Sequence, residues 1–465
     1  MQRPSAAAAV AQLISDSFSG PSSDRRTPYP APAPPAAAAA APRHPRLVDL
    51  RPLNGLRALA SIVVVIYHSW LLWIFLLPFD TAAQLTRRNV WVAAASLGPL
   101  SVDCFLVLSG LLAAYQLVPA LDGSSDSWRT VRQYWQRRAL RLLPAYLAIN
   151  LVLLAALPRS KPAPEAALAH AIFMGNCPAG LWRNLLFLVN FDHTQACGGH
   201  LWTLSLQVQF YAAFPLLLLA LRPRLPGFRA RAAWALAAAA AAGTLWRLAL
   251  AWSQPAHVLR LPLGDLRQPA GLAIFTAVLR ATYFTPAVRL SQLAVGAALG
   301  LLLRSHTAVS WLARRRACLA VAAAALQAAY LYLYIAWSPN GLPGEAPWSP
   351  TATRAYAALA YYGSPFLSIL LAATMLALTL GCDPLHRRIA SALSAPALLP
   401  LANLSFSLYL IHEPARLWAL SLLPGALPAA IATSPLWGLA FLSTLTLTAG
   451  YAAALPLYWL VEKRF

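Results

Sequence analysis

Acidic residues are scarce in this chain: 14 Asp and Glu stand against 36 Lys and Arg in 465 residues, and charged residues of both signs reach only 11%. A soluble protein of this length has no use for so little charge beside 59% hydrophobic residues, because its core would be saturated long before those side chains were used up. Short segments of alternating apolar and polar residues are also missing, which excludes a membrane β-barrel. No compact apolar core of a secretory signal stands near the start. What is present is a series of long apolar runs with few interior charges, the pattern of an all-α polytopic membrane protein seated in a lipid bilayer. The net charge of +22 raises the question of nucleic acid, but the arginines cluster between apolar runs rather than along one binding stripe, so no nucleic-acid partner is expected.

Residues 1–46 are rich in Ala and Pro, as in PYPAPAPPAAAAAAP, and are expected to form a disordered tail. Their Ser and Arg content would suit a transit peptide, although Asp16 and Asp24 argue against one. The membrane domain then occupies 47–465, with about ten spans near 57–78, 90–118, 140–157, 201–221, 232–252, 287–304, 317–337, 355–380, 398–423 and 435–460. A further apolar segment from Gly271 is too short to cross and carries Arg280, which reads as re-entrant or interfacial. Seventeen Lys and Arg fall on one side (Arg129 to Arg141, Arg222 to Arg231, Arg304 to Arg316, Arg387 and Arg388, Lys463 and Arg464), and nine fall on the other. The positive-inside rule therefore predicts cytosolic termini in an endomembrane or plasma membrane. It also puts the loop 158–200 outside the cytosol, where Cys177 and Cys197 could form a lasting disulfide. The sequon Asn403-Leu404-Ser405 falls at a cytosolic span edge and is expected to be silent.

Several residues carry chemistry. Arg57 and His68 are eleven steps apart within GLRALASIVVVIYH. On an α-helix those steps rotate by about 1100°, within ~20° of three full turns, and climb about 16 Å. Both groups thus share one face, with Arg57 near the cytosolic mouth and a titratable imidazole deep in the bilayer, where it is costly without a function. Asp103 in the second span needs a partner, and the nearest by sequence is His68, whose ring it would orient. Ser109-Gly110 allows close helix approach or a local break. Arg137, Arg138 and Arg141 crowd the third-span entrance beside Pro144, a grouping suited to phosphate. The fourth span opens with unusually polar residues, among them His200, Gln207 and Gln209, with His200 and Gln207 expected on one face. In the ninth, His412-Glu413-Pro414 precedes Arg416, and the proline would expose backbone acceptors. No residue set calls for a metal or a permanently bound cofactor.

The order GLRALASIVVVIYH, VDCFLVLSGLL, RRALRLLPAYL, GHLWTLSLQVQFY and SFSLYLIHEP resembles the type 3 membrane acyltransferases, from about Arg51 to the C-terminus. NCPAGLWRNLLFLVNF followed by Cys197 looks closer to the eukaryotic branch of nose-resistant-to-fluoxetine type proteins, in which paired cysteines flank a similar segment. The resemblance implies O-acyl transfer, with acetyl-CoA or another acyl-CoA as donor and a hydroxylated glycan, lipid or metabolite as acceptor. Carried over, His68 is the base or acyl relay and Asp103 and Ser109 match the second-span motif. Arg57, Arg137, Arg138 and Arg141 would then meet the donor. One departure stands out: where the family has an acidic residue, this chain has Gln207, which cannot take a proton. A transporter or lipid carrier without chemistry is the alternative that the same buried polar groups allow.

Overall fold

The computed structural model describes residues 48–155, 177, 179–192, 196–221, 223–255, 283–336, 349–359 and 363–464. The tail 1–46, the segment from Gly271 and much of the loop 158–200 lie outside those residues. The described chain is helical. Its helices include α1 (Pro52–Leu76), α2 (Gly98–Asp122), α3 (Ser127–Ala155), α4 (Trp202–Ala220), α5 (Phe228–Ser253), α6 (Pro286–Leu303), α7 (Arg316–Ala336), α8 (Pro365–Leu380), α9 (Pro384–Leu393), α10 (Leu398–Leu422), α11 (Ala426–Thr433) and α12 (Pro435–Leu460). Proline opens α1, α6, α8, α9 and α12 at the first turn, where its missing N–H costs nothing.

This is a multi-pass membrane protein. Among the described residues seven helices are long and apolar enough to span a bilayer, or nine if each of two bent pairs is one span. The pairs α8–α9 and α10–α11 bend by 89° and 87°. The run expected at 317–337 forms α7, a helix of 21 residues whose stretch Arg316–Leu331 is apolar. The run expected at 355–380 is broken: a short helix ends at Leu359 and α8 starts at Pro365. At the third span the helix begins at Ser127, so Arg137, Arg138 and Arg141 stand on it rather than in a loop, and Pro144 lies inside it.

Hydrophobicity cannot hold apolar helices together in lipid; close packing and buried polar bonds must. The tightest pairing joins α2 to α6. A Cβ on Gly110 would strike the carbonyl oxygen of Leu293, and one on Gly296 would strike that of Val107, so two glycines let the backbones touch. On the other side α10 packs against α12 and α1, with Ser69 Oγ of α1 donating to Thr446 Oγ1 of α12 at 3.2 Å. Before α1, the Asp49 N–H donates to the Thr379 carbonyl at 2.9 Å, clipping the helix start to the end of α8. The Asp49 carboxylate accepts from the Arg51 guanidinium, which holds its pKa below the usual carboxylate range. Replacing Gly296 by Leu should therefore lower the apparent melting temperature of the detergent-solubilised protein, at an overpacking cost of about 1–3 kcal/mol. Gly123→Ala, where the nearest atom is 3.6 Å from the added carbon, should melt like the parent.

Candidate active site

His68 meets α10. Its Nδ1 lies 2.7 Å from Nε2 of His412, and Glu413 Oε1 lies 3.1 Å from that Nδ1 and 3.4 Å from the His412 Nε2. Arg416 completes the group: Nη2 donates to Glu413 Oε2, and Nη1 donates to the backbone carbonyl of His68 at 2.8 Å. His412, Glu413 and Arg416 are fully buried. The i to i+3 spacing of Glu413 and Arg416 puts them on one helix face, so one turn of α10 supplies both charges.

The protons can be assigned from this network. Nδ1 of His412 sits 2.8 Å from the Tyr409 carbonyl and 3.2 Å from that of Leu408. A carbonyl only accepts, so this nitrogen carries the proton and Nε2 is the lone pair. His68 must then donate through Nδ1 to His412, which makes its own Nε2 a basic lone pair. Glu413 stands where it would stabilise positive charge arising on His68, the arrangement that a carboxylate gives a catalytic histidine.

The same three donor atoms of His68, His412 and Glu413 lie within 4.8 Å of one another, a spacing a metal ion could use. The imidazole geometry favours a proton instead. The rings are 3° from parallel with centroids 5.0 Å apart, so the two nitrogens lie almost on the line between the ring centres. Lone pairs aimed at each other in this way make a straight N–H···N bond, whereas metal ligands aim at a third point between them.

Asp103 is not the partner of His68. It is fully buried on α2, where Oδ1 accepts from Arg289 Nη1 of α6 and Oδ2 accepts from the Gly363 N–H at 2.9 Å. The acid that faces His68 is Glu413, which the sequence holds in plain view beside His412. Ser109 and Gln207 do meet: the serine hydroxyl donates to Gln207 Oε1 at 3.1 Å. Gln209 instead holds the preceding loop, with Nε2 donating to the Phe187 carbonyl at 2.7 Å and to Asn190 Oδ1 at 2.9 Å.

His200 lies in a single 3-10 turn, Gly199–Leu201, ahead of α4, and meets α10, whereas Gln207 meets Ser109 of α2. Its Nε2 is 3.1 Å from the Leu410 carbonyl of α10. Leu410 is four residues before Pro414, which has no N–H to offer it, so His200 satisfies a carbonyl that proline frees. Cys177 and Cys197 form a disulfide. Beside it, Asn184 Nδ2 donates to the Cys197 carbonyl and Cys197 N–H donates back to Asn184 Oδ1 at 3.2 Å.

The arginines divide. Arg138 reaches Gln116 Oε1 at 3.1 Å and lies over the rings of Tyr134 and Tyr211, 5.3 and 4.8 Å from their centres. Arg137 is exposed. Arg141 comes into the field of Arg57 together with Glu462 from the end of the chain, a residue the sequence reading passed over. Arg57 is half-buried, and its Nε has no hydrogen-bond partner among the described residues.

A family model described as an acyltransferase domain, type 3, matches residues 51–455. The chain belongs to that family. Over 177 residues, 36% of this chain, it is 30% identical to the O-acetyltransferase OatA of Staphylococcus aureus strain NCTC 8325 and equally to that of strain COL. The match spans 24% of those relatives' own length. No solved structure matches the chain significantly. In this acyltransferase domain Asp103 therefore serves first as the counter-charge of Arg289. Asp103→Leu should cost about 3–5 kcal/mol of stability, the penalty for stranding a buried cation, read as a lowered apparent melting temperature. Asp103→Leu/Arg289→Met should recover most of the loss; a single variant that melts like the parent would contradict this role.

Proposed function

We propose that the protein is an integral-membrane O-acyltransferase that moves acetyl, or another acyl group, from acyl-CoA to a hydroxyl on a glycan, lipid or small metabolite. The observation that carries this reading is the hydrogen-bond order Tyr409 carbonyl, His412, His68. It leaves Nε2 of His68 as a basic lone pair, with the Glu413 carboxylate behind the ring. Such a nitrogen can take the proton of an acceptor hydroxyl or receive the acyl carbon itself. Either way positive charge grows on the ring, and Glu413 offsets it without moving.

The donor approaches from the Arg57 end. The loop charge bias makes that end cytosolic, where acyl-CoA is found. Arg57 presents a buried Nε with no hydrogen-bond partner among the described residues, and Arg141 lies within electrostatic range of it, a pairing that suits a phosphate. From there to His68 is about 16 Å along α1, a span for the long donor arm to cross. The bridge between Cys177 and Cys197 supports the eukaryotic branch of the family, whose cysteines flank this segment. Gln207 keeps a hydrogen bond to Ser109 but brings no charge, which assigns the proton chemistry to the histidines.

Two experiments test this. In membranes supplied with labelled acetyl-CoA, His68→Ala should lose acetyl transfer, while Arg57→Ala should keep most of kcat and raise the KM for acetyl-CoA about tenfold, the scale of one charged hydrogen bond. Full activity of His68→Ala would end the reading. Dialysis of the purified protein against a chelator should leave transfer unchanged; loss of activity restored by zinc would mean that an ion, not a proton, joins His68 to His412.

A further inference from the structure

His200 has one ring nitrogen without a hydrogen-bond partner among the described residues, while its other ring nitrogen and its carbonyl are both tied down. Its carbonyl accepts from the Tyr409 hydroxyl, which in turn accepts from Thr203 Oγ1 at 2.6 Å. Two residues earlier Gly198 takes φ of 81°, a left-handed turn that glycine alone adopts cheaply, beside the Cys197 end of the disulfide. The side chain is held from α10, because Nε2 must donate to the Leu410 carbonyl that Pro414 frees. The ring proton is therefore on Nε2, and Nδ1 is a bare lone pair. That Nδ1 is buried, in a residue only 6% exposed, and has no hydrogen-bond partner among the described residues.

A buried acceptor without a donor is costly to keep, and so much positioning around one points to a donor that arrives with a ligand. The ring stands edge-on to His412 with centroids 5.3 Å apart, and His412 in turn lies 2.7 Å from His68. The residue thus packs against the imidazole that meets His68. Resting on the acyl-transfer reading above, we infer that Nδ1 of His200 is the subsite for the acceptor hydroxyl and takes its proton during transfer.

The two histidines then divide the work. The acyl carbon bonds to Nε2 of His68 as its C–S bond breaks, and the CoA thiolate leaves and is protonated by water. The acceptor oxygen next bonds to that carbon while its proton passes to Nδ1 of His200. The C–N bond to His68 breaks, restoring its lone pair, and His200 returns its proton to solvent. The net products are the ester and free CoA, with no oxidant or further reactant required.

The test uses membrane vesicles from cells expressing the full chain, with labelled acetyl-CoA. Their own hydroxylated glycans and lipids serve as acceptors, read as alkali-labile ester, and hydroxylamine serves as a second acceptor, read as acetohydroxamate. Hydroxylamine attacks through nitrogen without first losing a proton, so it needs no base. His200→Gln keeps an amide that can donate to Leu410, and its ratio of ester to hydroxamate should fall about 100-fold from that of the parent, the scale of one general base. His200→Ala should fall as far. A His200→Gln ratio equal to the parent's would overturn the assignment, since the bond to Leu410 would then be all that the residue contributes; hydroxamate without ester in the parent would overturn it as well. A parent that acetylates neither acceptor, or is matched by His68→Ala, would instead remove the acyl-transfer reading itself.

Discussion

A carboxylate fully buried in a membrane-spanning bundle has to find its counter-charge within the fold, since lipid offers none and an unpaired buried ion costs several kcal/mol. Glu413 finds it on its own helix in Arg416, one turn away, and that choice determines much of what surrounds it. With Oε2 committed to Arg416, Oε1 remains to face His68 and His412. Arg416 gives a further donor to the carbonyl of His68, which locks α1 to α10 at the level of that ring. A second compensated pair, Asp103 with Arg289, does the same for α2 and α6 and reaches the start of α8 through Gly363. The bundle is thus pinned at two places by ion pairs whose loss would be expensive, and glycine contacts close the distance between them.

Pro414 works by what it lacks. Without its N–H the Leu410 carbonyl is open, and His200 closes it; the two preceding carbonyls, of Leu408 and Tyr409, receive His412. Three consecutive backbone acceptors on one turn of α10 therefore set the proton positions of two histidines, and through His412 those of a third. Neutral imidazoles have two tautomers of similar energy in water, and only such fixed partners select one. The chemistry attributed to His68 and His200 depends on that selection more than on the residues being histidine.

What could be read from the sequence follows the range of the interaction. That Arg57 and His68 stand on one helix was legible because the apolar run between them is continuous and needs no tertiary knowledge. The disulfide was legible because its loop holds just two cysteines. Asp103 was misread because order along the chain says nothing about which helices become neighbours: its partner Arg289 is 186 residues away, whereas His68 is close in sequence and turned elsewhere. Glu413 escaped for the opposite reason, since it stands beside a conspicuous histidine and its value comes from a contact 345 positions upstream. Apolar content located the helices without showing where they bend, and the breaks after Leu380 and Leu422 turn each chain segment by nearly a right angle.

Gln207 can be understood in the same electrostatic terms. Among the described residues the fully buried arginines of the bundle are already engaged: Arg416 with Glu413, Arg289 with Asp103, and Arg247 through Nε with the Ala358 carbonyl at 3.0 Å. A carboxylate at position 207 would accept the same hydrogen bond from Ser109 but would add a negative charge for which no neighbouring helix has been shown to bring a cation. The neutral amide keeps the bond between α2 and α4 and removes that demand. On the acyl-transfer reading proposed above, a proton leaving an acceptor hydroxyl would go to an imidazole. In this chain the fourth-span motif meets α10 through His200, and the side chain seven residues later holds two helices together.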